Sequence, residues 1–329
     1  MEGMTDMHTK NKLPIKIISF IFLLLIILSN TANCCLPEII KDIKTDLKIA
    51  YSLVAEDENS IQIALVGNSN LYSGFSPCDL WNEYGYTSTI CASARQTIDE
   101  SVNLIQKFFS KQKPRLVIID SDMLFNHNPR IRNYRKKSYG IKDFLLRTKP
   151  AFLKQDIESI YSILKNNDKN RSFNTHGYRY SSKICKIESV DYMHKTDTSE
   201  EIPQNNINQM DTLINLCRNN SAEILLIAIP SISSWNYERH NAAAAYADSR
   251  GLNLIDLNLL YNEIGLDPAQ CFRDNGSHMN YNGAKAITNY IGNYIKSSYS
   301  VENLKSNYKY SLWNDNYQQF TIYKKGLEA

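Results

Sequence analysis

The chain has 329 residues, 37 Lys and Arg against 34 Asp and Glu, and 43% apolar residues. That is enough for one large domain or two small ones, and too apolar for global disorder. A formal net charge of +3 does not describe a dedicated nucleic-acid binder, and a single apolar stretch of membrane length excludes a multi-span transporter or channel.

Lys10, Lys12 and Lys16 precede an apolar run, Ile17 to Leu28, broken only by Ser19. From Leu13 to Ala32 the stretch has about 20 residues, the number that crosses a bilayer. It reads as a cleaved signal peptide or an uncleaved signal-anchor. Ala32-Asn33-Cys34 is a poor small-x-small cleavage site, which favours the anchor: a cell-membrane protein with one N-terminal membrane helix. Either way the lysines stay in the cytoplasm and the rest is exported. The expected organisation is a cytoplasmic tail and membrane segment over 1–35, a folded domain over 36–299 with an insertion at about 126–205, and a tail over 300–329 whose place the sequence does not give. Cys34 and Cys35 lie beside the membrane segment. The other cysteines, Cys78, Cys91, Cys185, Cys217 and Cys271, show no CxxC spacing and read as free thiols, not zinc ligands.

Residues 36–58 are polar and helical in pattern. Gln62 to Val66, bounded by Gly67, reads as a buried strand, and Tyr86 to Cys91 as a second. Thr97 to Ser110 carries apolar residues at Ile98, Val102, Ile105 and Phe109, a helical spacing. Pro114 precedes a third strand, Leu116 to Ile119. The rhythm is lost over 126–205, which is basic and rich in Tyr, Asn and Ser, with one helix expected from Phe152 to Leu164. It resumes with a helix from Asn208 to Asn219, a strand from Glu223 to Ile229, an Ala-rich helix from about Ser234 to Arg250, a strand from Leu252 to Leu257 and a helix from Asn280 to Ile295. Strands alternating with helices predict an α/β three-layer sandwich whose parallel sheet is covered on both faces. Such sheets bind their ligands beyond the carboxyl ends of the strands.

Two segments meet that condition. Gly67-Asn68-Ser69-Asn70 follows the first strand, and Arg273 to Asn280 precedes the last long helix. A serine on a strand-to-helix turn is held clear of the sheet beside backbone N–H donors that can stabilise an oxyanion. A histidine with a nearby aspartate at the same edge can act as its base. The plainer alternative is that Ser69 caps a helix and His278 merely opens another.

These segments resemble the SGNH, or GDSL-type, hydrolase superfamily. The resemblance is closest to its membrane-anchored, exported branch associated with acyl transfer to cell-envelope polymers, which includes proteins of teichoic-acid D-alanylation. Leu65 to Asn70 followed by Gly74-Phe75-Ser76-Pro77 is similar to the family's first block. Gln112 to Asp120 resembles its third-strand segment, Ile229-Pro230-Ser231 with Trp235, Asn236 and Asn241 its fourth-strand block, and Asp274 with His278 to Asn280 and Gly283-Ala284 its Asp-His block. The resemblance implies an SGNH (flavodoxin-like) fold with Ser69 as nucleophile, His278 as base and Asp274 as its orienter. The family's aspartate stands three residues before the histidine, a place held here by Asn275, so Asp274 and Asn275 compete for that role. The turn has Asn68 where the family has Asp, and the second block's Gly is replaced within Ala92-Ser93-Ala94. Asn70, Ala94, Asn126 and Trp235 are the expected oxyanion and substrate-binding residues.

The activity implied is that of a serine esterase or O-acyltransferase. It would act on an O-acylated cell-envelope glycan or teichoic acid through an acyl-Ser69 intermediate, with no metal or organic cofactor and with a membrane O-acyltransferase as a plausible partner. The alternative is a non-catalytic scaffold of the same fold that binds glycan or that partner. Arg130, Arg132, Arg135, Lys136 and Lys137 form a basic cluster that reads either as a solvated loop or as a dock for an anionic polymer. Tyr178, Tyr180 and Trp235 are candidates to stack on sugars or to pack internally. Asp120 and Asp122 end the third strand, where they bind substrate or cap a loop. His127, His176, His194 and His240 show no metal-ligand spacing.

Overall fold

The computed structural model describes residues 56–126, 174–188 and 190–328. The apolar run of Ile17 to Leu28, the basic cluster of Arg130 to Lys137, His127 and the helix expected over Phe152 to Leu164 lie outside the described residues. Among the described residues no helix is long and apolar enough to cross a membrane.

Five parallel strands form one sheet in the order β2-β1-β3-β4-β5: β1 Ile63–Gly67, β2 Ser88–Ala92, β3 Leu116–Asp120, β4 Glu223–Ala228 and β5 Asn253–Asp256. β1, β2 and β3 are buried along their whole length, which is why β1 and most of β3 read as unbroken apolar runs and not as alternating ones, while β2 buries Ser88 and Thr89 beside Ile90 to Ala92. Strand order reverses between β1 and β3, so the connections leaving these two strands diverge and leave a crevice beyond Gly67 and Asp120.

Alternate strand residues feed two separate cores. Ile63 and Leu65 face α1 (Ser69–Gly74), α2 (Pro77–Tyr84), α7 (Tyr281–Ser298) and α8 (Ser311–Glu328), packing with Leu71, Leu80, Ile287 and Phe320. Ala64 and Val66 face α3 (Ile98–Phe109), α4 (Gln204–Asn219) and α5 (Tyr237–Asp248), packing with Ile105, Leu213 and Ala243. A one-turn α6 (Tyr261–Ile264) follows β5. The result is the three-layer α/β fold that the alternation of strands and helices predicts. In α7, Ile287, Ile291 and Ile295 lie one turn apart and are fully buried. Burying each side chain contributes about 1.5–3 kcal/mol, so this stripe holds the helix that follows the candidate histidine firmly on the sheet.

The expected helix over Thr97 to Ser110 is α3. Its start is set by a capping box: the Thr97 hydroxyl accepts from Glu100 N–H, and Glu100 Oε2 accepts from Thr97 N–H at 3.0 Å. α2 and α8 depart from the expectation, and α1 is the helix that the turn at Ser69 calls for, capped by Asn68 and not by Ser69. α1 and α2 fill a stretch that shows no helical periodicity. They form because Asn68 and Ser76 cap them and Pro77 opens α2 without sacrificing a hydrogen bond. α8 occupies the tail after Ser300. It docks through Trp313, which meets Trp81 at 5.5 Å, and through fully buried Phe320.

The described part of the expected insertion, from Asn174 to the start of α4, is an extended strap. It begins on the sheet edge, where Ile90 N–H donates to the His176 carbonyl at 2.9 Å. It crosses α1 through Arg179 N–H to the Tyr72 carbonyl at 2.8 Å, and runs beside the loop before α7, where Cys185 N–H donates to the Phe272 carbonyl at 2.8 Å. It ends against α5, where Arg239 makes a two-pronged ion pair with Glu200 at 2.8 and 2.9 Å.

Candidate active site

Ser69 is the first residue of α1, directly beyond the carboxyl end of β1. The turn is tight. A Cβ on Gly67 would come within 2.8 Å of Asp120 Cβ and 2.9 Å of Leu71 Cβ, so only glycine lets β1 pass β3 this closely and turn into the helix. Asn68 then does two jobs. Its Oδ1 accepts from Asn70 N–H at 2.9 Å, and its Nδ2 donates to Asp122 Oδ2 at 2.8 Å. An aspartate here would set a carboxylate against Asp122, whereas an amide supplies both an acceptor and a donor. Asp122 is steadied further by Arg239, 3.7 Å away. The serine therefore stands on a turn braced by half-buried polar contacts from the turn after β3 and from α5.

The second half of the site is the loop before α7. His278 Nε2 lies 2.9 Å from Ser69 Oγ, and His278 Nδ1 lies 2.7 Å from Asp274 Oδ2. Asp274 Oδ1 accepts from the backbone N–H groups of Ser277 and His278 at 2.9 and 2.8 Å. Asp274, not Asn275, holds the place beside the imidazole. Asn275 is exposed and its Oδ1 accepts from the Cys185 thiol at 3.3 Å. The four-residue spacing works because Gly276 adopts φ +81°, where a side chain would be strained and its Cβ would come within 2.7 Å of Ile232. Ile232 N–H donates to the Gly276 carbonyl at 2.8 Å, which locks the bulge against the loop after β4.

The electrostatics suit a base. Burial, aided by the nearby charges of Arg273 and Arg179, outweighs the attraction of Asp274 and holds His278 below the ordinary imidazole pKa, so the ring is neutral at neutral pH. Partial burial works against the ionised form of Asp274, but its bonds from the His278 ring and from two backbone N–H groups prevail and hold its carboxyl below the usual range. A neutral imidazole between an ionised carboxylate and a serine hydroxyl can take the hydroxyl proton as the oxygen attacks an electrophile.

The remaining candidates fall out differently. Asn70 is buried next to Ser69, and its Nδ2 donates to Ser234 Oγ at 3.3 Å. Ala94 lies two residues beyond β2, whose last residue pairs with Gly67, and so belongs to the same sheet edge. Asn126 lies six residues beyond the end of β3, and no contact of its side chain with Ser69 or His278 is seen among the described residues. It ends a short turn, with its N–H on the Met123 carbonyl and its own carbonyl accepting from Asn206 at 3.3 Å. Trp235 is no stacking platform. It is 3% exposed, its Nε1 donates to Asp256 Oδ2 at 2.9 Å, and it packs edge-on against Phe125. Tyr178 and Tyr180 are likewise buried, against Phe320. Asp120 is buried and Asp122 half-buried. Asp120 caps the turn after β3, while Asp122 supports Asn68 and leaves no free carboxylate for substrate.

Sequence reasoning missed Arg179 and Arg239. Arg239 braces Asp122 from α5. Arg179 is brought beside the site by the strap, far away in the chain, and no local motif announces it. Among the described residues no cluster of His, Cys, Asp and Glu could hold a metal ion.

No protein-family model matches the chain, and no curated protein matches it. Solved structures that it resembles include a GDSL-like lipase from Bacteroides thetaiotaomicron, at 12% identity and TM-score 0.39 over 77% of this chain and 98% of that one. A lipase/acylhydrolase from Enterococcus faecalis is similar at 12% identity and TM-score 0.39 over 74% and 98% of the two chains. A family 3 carbohydrate esterase from Clostridium thermocellum is similar at 13% identity and TM-score 0.36 over 72% and 96%. At such identities and scores neither fold nor activity follows from the likeness. Both rest on the sheet order and on the contacts of Ser69, His278 and Asp274.

Proposed function

We propose that the protein is an SGNH-type serine esterase or O-acyltransferase acting on acyl esters of a cell-envelope polysaccharide or teichoic acid. One observation carries the chemistry: a continuous line from Asp274 Oδ2 through His278 to Ser69 Oγ, with contacts of 2.7 and 2.9 Å, at the crevice where the strand order reverses. The polymer, the export of the domain and a membrane O-acyltransferase partner are supported by the sequence resemblance and by the lysines before the apolar run.

In this reading Ser69 Oγ attacks the ester carbonyl while His278 Nε2 accepts its proton. The imidazolium so formed is stabilised by Asp274. The tetrahedral oxyanion is met by backbone N–H groups at Ser69 and at the loop of Ala94, with the Asn70 amide beside them. His278 returns the proton to the departing alkoxide and leaves acyl-Ser69. Water, or a sugar hydroxyl in the transfer reaction, is then deprotonated by His278 as it attacks the acyl carbon, and His278 returns that proton to Ser69 Oγ as the acyl–serine bond breaks.

A fluorophosphonate reagent tests the central claim. It should label the wild-type chain at Ser69 and leave Ser69→Ala unlabelled. A wild-type chain that stays unlabelled and fails to turn over acetyl esters would refute the enzyme and favour the non-catalytic scaffold. Protease shaving of intact cells should remove the domain. Survival in intact cells with loss only after lysis would place it inside.

A further inference from the structure

Beside the proposed catalytic line sits a positive pair that the acyl-transfer steps do not use. Arg273 adjoins Asp274, and its side chain is only 12% exposed. Its one acidic neighbour among the described residues is Asp274, with Nε 3.9 Å from an Oδ2 already bonded to His278. A guanidinium carries five donors in a planar fork. The Arg273 side chain is largely buried, and among the described residues its guanidinium makes no hydrogen bond. Such a group calls for an oxyanion.

Arg179 is placed next to it by the strap. Its backbone N–H is tied to Tyr72, one turn along α1 from Ser69, and two residues later the Ser181 carbonyl accepts from Tyr281 N–H at 2.8 Å. Arg179 is thus pinned between the helix that starts with Ser69 and the loop that carries His278. Its side chain is exposed, and it too has no acidic partner among the described residues. The strap has no acid from Asn174 to Ile187 to offset it. The two cations are close enough that Arg179, second to burial, holds the Arg273 guanidinium below its ordinary pKa, and both depress His278. Among the described residues Asp274, shared with His278 and 3.9 Å from Arg273 Nε, is the one carboxylate set against the two like charges, and a bound anion would relieve their repulsion.

We infer that Arg179 and Arg273 form an anion subsite beside Ser69, so that the preferred ester carries a carboxylate or phosphate close to the scissile bond. This rests on the acyl-transfer reading of Ser69 and names the substrate class it takes. Planar, two-pronged recognition suits either oxyanion. Binding one also removes the pair's pressure on the imidazole and makes His278 a stronger base once substrate is in place.

The test uses the full-length chain in detergent and three substrates: a neutral acetyl ester, a hemisuccinate ester with the carboxylate in the acyl part, and an acetyl ester of glycerol phosphate with the phosphate in the alcohol part. Wild-type kcat/KM should favour at least one anionic ester over the neutral one by roughly tenfold to a hundredfold. Which anionic ester wins distinguishes carboxylate from phosphate. In Arg179→Gln, which changes an exposed side chain, and in the Arg179→Gln/Arg273→Gln double variant, the anionic-to-neutral ratio should collapse, with partial recovery in Arg179→Lys. Equal kcat/KM for all three esters, or a preference that survives in the double variant, overturns the subsite. A readout without turnover keeps the two proposals separable. Titration with inorganic phosphate and with succinate, followed by the His278 ring proton resonances, should give a saturable shift and a raised imidazole pKa in the wild type, absent in Arg179→Gln and absent with sodium chloride at equal ionic strength. Saturable shifts without esterase activity would refute the enzyme and keep the anion site. Activity without any such shift would do the reverse.

Discussion

Two carboxylate–imidazole pairs stand at the carboxyl edge of this sheet, nearly identical as pairs and opposite in use. Asp274 meets His278 at 2.7 Å, and Asp256, the last residue of β5, meets His240 on α5 at 2.8 Å. Asp256 is almost sealed from solvent. Beyond His240 it accepts from Trp235 Nε1 and from the backbone and side-chain N–H groups of Asn258, at 2.9, 2.9 and 2.7 Å. Every acceptor position is used to tie β5, α5 and the loop after β4 together. Asp274 keeps more exposure, and its other bonds come from its own loop. The decisive difference is the far ring nitrogen. That of His278 reaches Ser69, whereas His240 packs beside the Tyr237 ring at 5.1 Å. An Asp–His pair is a structural unit by default, and it becomes chemistry when a third atom is placed on the free nitrogen and the ring is left neutral.

Breaking the first pair should have by far the larger effect on turnover. Ser69→Ala should lower ester turnover by on the order of 10⁵–10⁶-fold, as loss of the nucleophile does in serine hydrolases. Asp274→Asn should cost on the order of 10⁴-fold through the wrong tautomer and an unstabilised imidazolium, while Asn275→Ala, whose side-chain hydrogen bond among the described residues comes from the Cys185 thiol, should stay within about threefold. The reverse ranking in an acetyl-ester assay would put Asn275 in the orienting role. The pH profile sharpens this. Because burial holds His278 below the ordinary imidazole value of 6.5, the acidic limb of wild-type kcat/KM should fall below pH 6.5, with activity lost as the pH drops and the ring protonates. A limb above 6.5 would show that Asp274, not burial, dominates the ring.

Much of the fold and of the first pair is legible in the sequence, the Asp256–His240 pair is not, and the reasons are physical. β1, β3 and β4 announce themselves as apolar runs because both faces of the sheet are covered, and α3 through its periodicity. Ser69 and His278 follow from their places after β1 and before α7. Asp274 could be preferred over Asn275 only through the flexibility of Gly276, whose φ of +81° supplies the bulge. Long-range placement was not legible. Trp235 beside a Ser-rich turn looks like a rim residue until Asp256, distant in sequence, is seen to take its N–H. α1 and α2 are too short to show a period. The strap shows no pattern at all, because what holds it are backbone bonds to α1 and to the loop before α7.

The second pair should show up in stability. Asp256→Asn replaces one carboxylate oxygen by an amine that donates into a ring of donors, and should destabilise the fold by about 2–3 kcal/mol. Turnover per folded molecule should change by less than roughly tenfold, since Asp256 touches neither Ser69 nor His278. Denaturant unfolding measured beside the esterase assay checks both. Lost activity with an unchanged unfolding midpoint would mean that the His240 pair belongs to the site after all.

The smallest expected effect concerns a third carboxylate at the same edge. Asp120 is fully buried. Its Oδ1 accepts from Asp122 N–H at 3.2 Å, and its Oδ2 has no partner among the described residues. Burial first, and then the Asp122 carboxylate, hold its pKa well above the ordinary 3.8. Below that ordinary value the group is protonated in both folded and unfolded chains, and its contribution to stability is fully present. As the pH rises toward the folded-state pKa, the unfolded chain releases the proton and the folded chain does not, so stability is lost. Asp120→Asn keeps the oxygen that accepts from Asp122 N–H and cannot ionise. The variant should therefore match the wild type near pH 4 and exceed it by about 1–3 kcal/mol at neutral pH. Urea unfolding midpoints at the two pH values decide it. If the variant is weaker at neutral pH, Asp120 is ionised there and has an ion partner, and this carboxylate belongs with Asp256 among the satisfied anchors.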